Sequence, residues 1–226
     1  MKIRLVIATR VSEMDFFNKT ATGRSLSFKL AESFEIRLFA NNKIGLSKLY
    51  NQAIFESIND PAILVFLHDD VYILDYFWPS RIKDALLNFH IVGLAGNKRR
   101  VPHQPSWAFI NDSFKWDNPE NLSGIVGHGR DFPPVHLSVY GPTKTQVKLL
   151  DGVLLASKSS TLVSNDLYFD DNFDFHFYDV DICRQAELKN ITCGTWDLSI
   201  LHQSGGNFGS NNWQLAYQKY LKKWGD

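Results

Sequence analysis

Strand-like segments rich in apolar residues recur along the chain at Lys2–Ala8, Phe34–Ala40, Ile91–Ala95, Val147–Ser157 and Ala62–Val71, and the last begins as an apolar run without polar alternation. Such runs are expected of strands covered on both faces of a sheet. Between them the period changes. After a turn at Asn41–Gly45, Leu46, Leu49, Tyr50, Ala53, Ile54 and Ile58 recur at helical spacing, with Ser47 as a candidate N-cap. Asp75–Phe89 predicts a second helix, with Pro79 in its first turn and Ile82, Leu86 and Phe89 as its buried stripe. A shorter helix is expected within Thr22–Ser33, carrying Leu26, Leu30 and Ala31. Thr195–Leu201 reads as a last strand. Asn212–Trp224 reads as a terminal helix, with Trp213, Ala216, Tyr217, Tyr220, Leu221 and Trp224 on one side. Strands alternating with helices predict an α/β sandwich around a largely parallel sheet.

Lys98–Lys148 breaks this rhythm. It has weak periodicity and several glycines, and it holds Arg99, Arg100, Trp107, Trp116 and Arg130; SGIVGHGRDF followed by PVHLSVYG suggests a hairpin or short edge strands. Long irregular stretches in compact domains commonly carry function, so this part is assigned to the acceptor side, with the three arginines as candidate phosphate contacts.

Composition narrows the picture. With 226 residues, 44% hydrophobic and 21% charged, the chain fits one domain with a substantial core. A formal net charge of zero gives no general attraction to nucleic acid. Two cysteines, Cys183 and Cys193, make no disulfide framework. The first apolar run is too short for a signal peptide, and no run approaches the ~20 residues of a membrane helix. These features predict a soluble cytoplasmic protein.

The chemistry begins where Ala62–Val71, AILVFLHDDV, ends in His68, Asp69 and Asp70. Adjacent carboxylates do not belong in a core, because unpaired buried charge is costly. In open α/β sheets ligands bind at the carboxyl ends of strands. A hard-cation site meeting an anionic substrate, most simply a diphosphate, is the economical reading. Thr9 and Arg10, at the end of the first strand, fall where a nucleotide would lie in such a sheet.

This strand end resembles the metal-binding Asp-x-Asp of glycosyltransferases with the GT-A fold, related to the large family-2 group. Asp70 keeps the last acidic position, whereas His68 replaces the first and is either a softer ligand or none. A second match is Tyr178-Asp179-Val180-Asp181, where the family runs into a helix as Glu-Asp-x-Asp; Tyr178 departs from it. A third is His202, after the last sheet element and before Gly205-Gly206. NNKIGLSKLYNQAI and Asp151-Gly152 match family segments beside the nucleoside and the sugar pocket.

The resemblance implies a nucleotide-diphospho-sugar transferase fold, a Rossmann-like α/β/α sandwich with a mixed, mostly parallel central sheet. It would comprise a nucleotide-binding half over residues 1–97 and an acceptor and catalytic half over 98–226. It implies a hexosyltransferase using Mn²⁺ or Mg²⁺, with Asp70 and His202 as metal ligands and Asp179 as general base. Thr9, Asn42, Asn51, Asp69, Asp151 and Gly152 would bind the donor, a UDP-sugar by preference. Gly45 would shape the turn before the nucleoside segment. A lone base opposite the leaving group implies inversion. The acceptor would be a glycan or lipid-linked saccharide, with peripheral membrane contact through the terminal helix and its Lys219, Lys222 and Lys223. At the start of a helix, Asp179 is expected to stay ionised and thereby to be weakened as a base.

Two other classes compete. A nucleotidyltransferase would show a glycine-rich basic loop near the first strand, and ATRVSEMDFF lacks the glycines. A non-catalytic nucleotide-sugar or saccharide-binding protein would explain the departures at His68 and Tyr178, but not the retention of Asp70 and Asp179.

Overall fold

A computed structural model of the chain describes residues 1–27 and 33–225. The buried run IRLVIA forms β1 (Ile3–Ala8), followed by two short helices, α1 (Glu13–Lys19) and α2 (Ala21–Ser25), and by β2 (Glu35–Phe39). Next come α3 (Leu46–Glu56), β3 (Ile63–Leu67), β4 (Val71–Ile73), α4 (Trp78–Asn88), β5 (Ile91–Gly93) and β6 (Ala95–Asn97). After an irregular stretch come β7 (Leu122–His128), β8 (His136–Gly141), β9 (Gln146–Val147), β10 (Leu149–Leu150) and β11 (Leu154–Lys158). The remaining elements are α5 (Ser159–Ser164), α6 (Tyr178–Leu188), β12 (Cys193–Thr195), β13 (Ile200–His202) and α7 (Asn211–Trp224).

The strands form two sheets. The larger has the order β2-β1-β3-β11-β5-β12-β9, and among the described residues all its strands but β11 and β9 run in one direction. The mixed α/β architecture with a mostly parallel sheet is therefore as the sequence predicts. The smaller sheet has the order β10-β6-β7-β13-β4, with β8 added to β7 as the expected hairpin.

The second sheet corrects the strand boundaries. Ala62–Val71 divides into β3 and the start of β4, Ile91–Ala95 into β5 and β6, and Thr195–Leu201 into β12 and β13. Val147–Ser157 likewise contributes β10 to one sheet and β11 to the other. Ile91–Ala95 stays apolar through its crossing because β5 and β6 are both buried, whereas the other three runs carry polar residues where they change sheet. The residues of interest sit at these crossings: His68–Asp70 between β3 and β4, and Asp151–Gly152 between β10 and β11.

Local signals need smaller corrections. Gly45, not Ser47, caps α3, and Ser47 is buried with Oγ donating to the Phe173 carbonyl at 2.6 Å. The helix expected from Thr22 ends at Ser25; Leu30 and Ala31 lie outside the described residues. α1 escapes the periodic pattern because Phe16 is its buried residue; Ser12 caps it by accepting from the Asp15 N–H. The terminal helix behaves as predicted. Trp213, Tyr217 and Tyr220 are buried, and Lys223 pairs with Asp170 and Asp181, each at 2.7 Å.

Candidate functional site

The His68-Asp69-Asp70 turn is held from below by Thr22, which is fully buried. Its Oγ1 lies 2.7 Å from the His68 carbonyl and 2.8 Å from that of Val71, and it accepts from the Val71 N–H. The Thr22 N–H donates to the Asp69 carbonyl and the Gln203 N–H to the Asp70 carbonyl. The backbone of the turn is thus fixed by α2 on one side and by the segment after β13 on the other. Its side chains are left for other work.

His202, at the end of β13, pairs in register with Val71 and so faces the same turn. Asp70 Oδ1 lies 3.4 Å from His202 Nε2 and 4.0 Å from His68 Nδ1. This oxygen is buried and accepts no hydrogen bond of good geometry. One donor atom each from His68, Asp70 and His202 falls within 4.8 Å of the others, which makes these three a candidate metal centre. Metal–ligand bonds of about 2.1 Å place neighbouring ligand atoms about 3–4 Å apart, the range in which the two Asp70–histidine separations fall. Burial works to raise the Asp70 carboxyl, but the adjacent His202, with His68, holds it at about 2. Burial likewise opposes the charge of His202, but Asp70 wins and raises it above its usual value. Burial dominates at His68 and lowers it. His202, His128 and His136 stand opposite one another across β13, β7 and β8, with ring centroids 6.5 and 4.8 Å apart.

α6 enters the site from the other side. Its N-cap, Phe177, is left-handed (φ 68°), a conformation unusual for a bulky residue. The ring is held among Trp213, Tyr217 and Tyr220, so α7 fixes how α6 begins. Tyr178 Oη donates to the Gly152 carbonyl at 2.8 Å and lies 2.8 Å from His68 Nε2. Asp179 accepts from the Gly152 N–H at 3.0 Å and from its neighbour, the Val180 N–H, at 2.9 Å. Burial, and next the charge of Asp151, push the Asp179 carboxyl up to about 7. The expected weakening by the helix dipole is therefore overturned: desolvation and a second carboxylate outweigh it. Asp181 is the structural acid of the pair, buried against Trp224 Nε1, Lys223 and Gln185.

The other predicted residues fall into two groups. Thr9 Oγ1 donates to Asp69 Oδ2 at 2.6 Å, and Asp69 lines a pocket of about 100 Å³ with Ala8, Leu46, Tyr50, His68 and Asp70. Asp151 accepts from Trp107 Nε1 at 2.5 Å and from the Val153 N–H at 2.8 Å, beside Asp179. A Cβ on Gly152 would lie 2.3 Å from Tyr178 Oη, so this glycine admits the start of α6. By contrast, both halves of the Asn42 amide bond to the Ile44 backbone. Asn51 is a buried clamp: it donates to the Phe169 carbonyl and to Asp171, and accepts from the Phe169 N–H. Gly45 packs against Asp174, whose Cα a Cβ would approach to 2.8 Å. Arg99 pairs with Asp117, and Arg100 with Glu187.

Sequence reasoning did not find Thr22, Trp107, Phe175 or the role of Tyr178. Phe175 stacks on His68 and borders the same pocket; the aromatic run FDFHFYD was the available signal.

A family profile described as "Glycosyltransferase like family" matches residues 6–223. The chain belongs to that family. The acidic turn, the tyrosine–aspartate helix start and His202 all lie inside the matched span. No curated protein matches the chain. Among solved structures it is similar to S. aureus TarS 1–349, at 12% identity and a TM-score of 0.49 over 90% of this chain and 60% of that one. TarS 1–349 in complex with UDP-GlcNAc gives 12% identity and a TM-score of 0.49, covering 91% of this chain and 60% of that one. A longer S. aureus TarS structure gives 14% identity and a TM-score of 0.48, covering 90% and 37%. The chain thus spans about 60% of the shorter TarS structures and little more than a third of the longer one. Among the described residues no helix is long and apolar enough to cross a membrane.

Proposed function

We propose that this glycosyltransferase moves a hexose from a nucleotide-diphospho-sugar, a UDP-sugar by preference, to a glycan or lipid-linked saccharide, with inversion at the anomeric carbon. The observation that carries the reading is Asp70 Oδ1, a buried carboxylate oxygen with no hydrogen bond of good geometry, set 3.4 Å from His202 Nε2 and 4.0 Å from His68 Nδ1. Such an atom is costly unless a cation completes it. A divalent ion held there by Asp70 and His202, Mn²⁺ or Mg²⁺, supplies positive charge against the leaving diphosphate.

The chain's own groups do the rest. The pocket beside the turn, between Asp69, Tyr50 and Phe175, receives the donor. Thr9 holds Asp69 in one rotamer through its 2.6 Å hydrogen bond. Asp151, kept in place by Trp107 and Val153, faces the sugar with lone pairs to spare for its hydroxyls. Asp179 takes the proton of the acceptor hydroxyl as that oxygen attacks. A carboxylate near 7 is matched to proton transfer at neutral pH. Its two backbone donors fix the carboxylate's orientation.

The test is donor hydrolysis and transfer with a panel of nucleotide-sugars, with and without Mn²⁺, on wild type and Asp70→Ala. The expected result is turnover of one donor class that depends on the ion and vanishes in the variant. Undiminished, ion-independent turnover in Asp70→Ala would remove the carboxylate from the site.

A further inference from the structure

His68 and Tyr178, which stand where the Asp-x-Asp and Glu-Asp-x-Asp motifs that the chain resembles have acids, are 110 residues apart in sequence and touch in the fold, His68 Nε2 to Tyr178 Oη at 2.8 Å. The direction of that contact follows from counting protons. A tyrosine hydroxyl has one, and the Gly152 carbonyl, 2.8 Å away, can only accept it. With that proton donated to the Gly152 carbonyl, the tyrosine oxygen accepts from His68, which places the imidazole proton on Nε2. The lone pair is then on Nδ1, the nitrogen facing Asp70 Oδ1 at 4.0 Å within the three-residue cluster. The contact needs Gly152, since any Cβ there would overlap the tyrosine hydroxyl. Phe175, stacked 5.8 Å from the His68 ring, restrains the same imidazole from its face.

We infer that Tyr178 is a positioning residue that presents His68 Nδ1 as a third ligand beside Asp70 and His202, and that this set selects a nitrogen-accepting transition ion such as Mn²⁺ over Mg²⁺. The inference rests on the reading above that Asp70 and His202 hold a divalent ion. Mg²⁺ prefers oxygen ligands and water, whereas imidazole suits later first-row ions. Two imidazoles and one carboxylate tilt the site accordingly. A hydrogen bond to the far nitrogen of a ligating histidine sets both tautomer and ring orientation, and its loss typically weakens metal affinity 10–100-fold.

The experiment uses the full chain stripped of metal. Free Mn²⁺ is followed by its paramagnetic resonance signal, and Mg²⁺ is measured by competition, for wild type, Tyr178→Phe and His68→Asp. The His68 tautomer is read separately from ¹⁵N–¹H correlations in metal-free wild type. The expected results are an Nε2-protonated His68, Mn²⁺ binding weakened about 10–100-fold in Tyr178→Phe, and a Mn²⁺-over-Mg²⁺ preference reduced or reversed in His68→Asp. A wild type that binds Mn²⁺ but carries the proton on Nδ1 overturns the inference alone, as do variants with unchanged affinities. A wild type that binds no Mn²⁺ overturns both the inference and the metal reading beneath it. Should Tyr178→Phe fail to fold, the wild-type tautomer and His68→Asp decide.

Discussion

Asp179→Asn separates chemistry from stability in one molecule. The Asp179 carboxyl stands at about 7 in the fold against its usual 3.8, through burial and then Asp151. The folded state therefore holds this proton more tightly than the unfolded chain does. As pH rises from about 4 to 7 the unfolded chain ionises while the folded one does not, so stability falls over that window and levels off above it. At about 1.4 kcal/mol per pH unit, the penalty is about 2 kcal/mol at pH 5 and about 4 kcal/mol at pH 8. Asparagine never ionises and escapes it. Its NH₂ must instead face the Gly152 or Val180 N–H, both of which now donate to Asp179. That clash costs about 1–3 kcal/mol but does not change with pH. The difference in stability, variant minus wild type, should therefore move by about 3 kcal/mol in the variant's favour between pH 5 and pH 8. For 226 residues this is about 6–12 °C in the gap between melting temperatures. Melting curves in chelator at the two pH values measure it. Transfer should fall by about 10²–10⁴, and wild-type transfer should rise with pH through about 7. A gap between the melting curves that is the same at pH 5 and pH 8 would refute the perturbed carboxyl. Near-normal turnover would refute the base.

The remaining predictions concern residues whose neighbours distinguish support from contact with substrate. Asn51→Ala leaves the buried Phe169 N–H and carbonyl without their partner; it should cost about 2–5 kcal/mol in denaturant unfolding with donor affinity nearly unchanged. Gly45→Ala drives a Cβ to 2.8 Å from Asp174 Cα; it should cost about 1–3 kcal/mol, seen in thermal melts, by displacing the segment before α6. His202→Ala removes the partner that holds Asp70 at about 2, so the Asp70 carboxyl should titrate higher by NMR. The raised His202 contributes stability that is fully present below pH 6.5 and lost as pH rises through its higher folded value. In chelator the variant should therefore lose about 1–3 kcal/mol at pH 5 and less at pH 9.

The fold was legible wherever one physical signal governed a segment. The apolar stripe of α3 from Leu46 to Ile54 and the aromatic stripe of α7 are both buried as their spacing requires, although Ile58 falls past the end of α3 and is exposed. The central strands β1, β3 and β11 were legible too, because burial on both faces favours apolar runs. Strand ends were not. Val92 and Ala95 are both buried, yet they belong to different sheets, and the unbroken apolar run between them carries no mark of the change. The same blindness explains Asp179. Position at a helix start is visible in sequence and argues for a low value, but the opposing burial, and next the charge of Asp151 on another crossing, are not. Helix dipoles contribute up to about 1 kcal/mol at exposed ends, whereas desolvation in a packed site is several times larger.

The crossings also account for why these particular residues meet. A strand that continues straight keeps its side chains alternating between two covered faces. A chain that leaves one sheet for another must turn, and at the turn polar side chains can point into the seam instead of the core. β3 leaves at His68–Asp70 and is anchored to β11's start by the His68 N–H on the Val153 carbonyl. β10 gives way to β11 through Asp151–Gly152, whose N–H and carbonyl hold Asp179 and Tyr178. β13 ends at His202, registered against Val71 just past the acidic turn. Three separate departures from regular pairing thus open on one seam, and α6 is aimed at it by Phe177. A substitution that stiffened one crossing, such as Gly152→Ala, would push on Tyr178 and Asp179 together, disturbing His68 and the base in one step. That coupling is why the site depends on a glycine that itself offers no functional group.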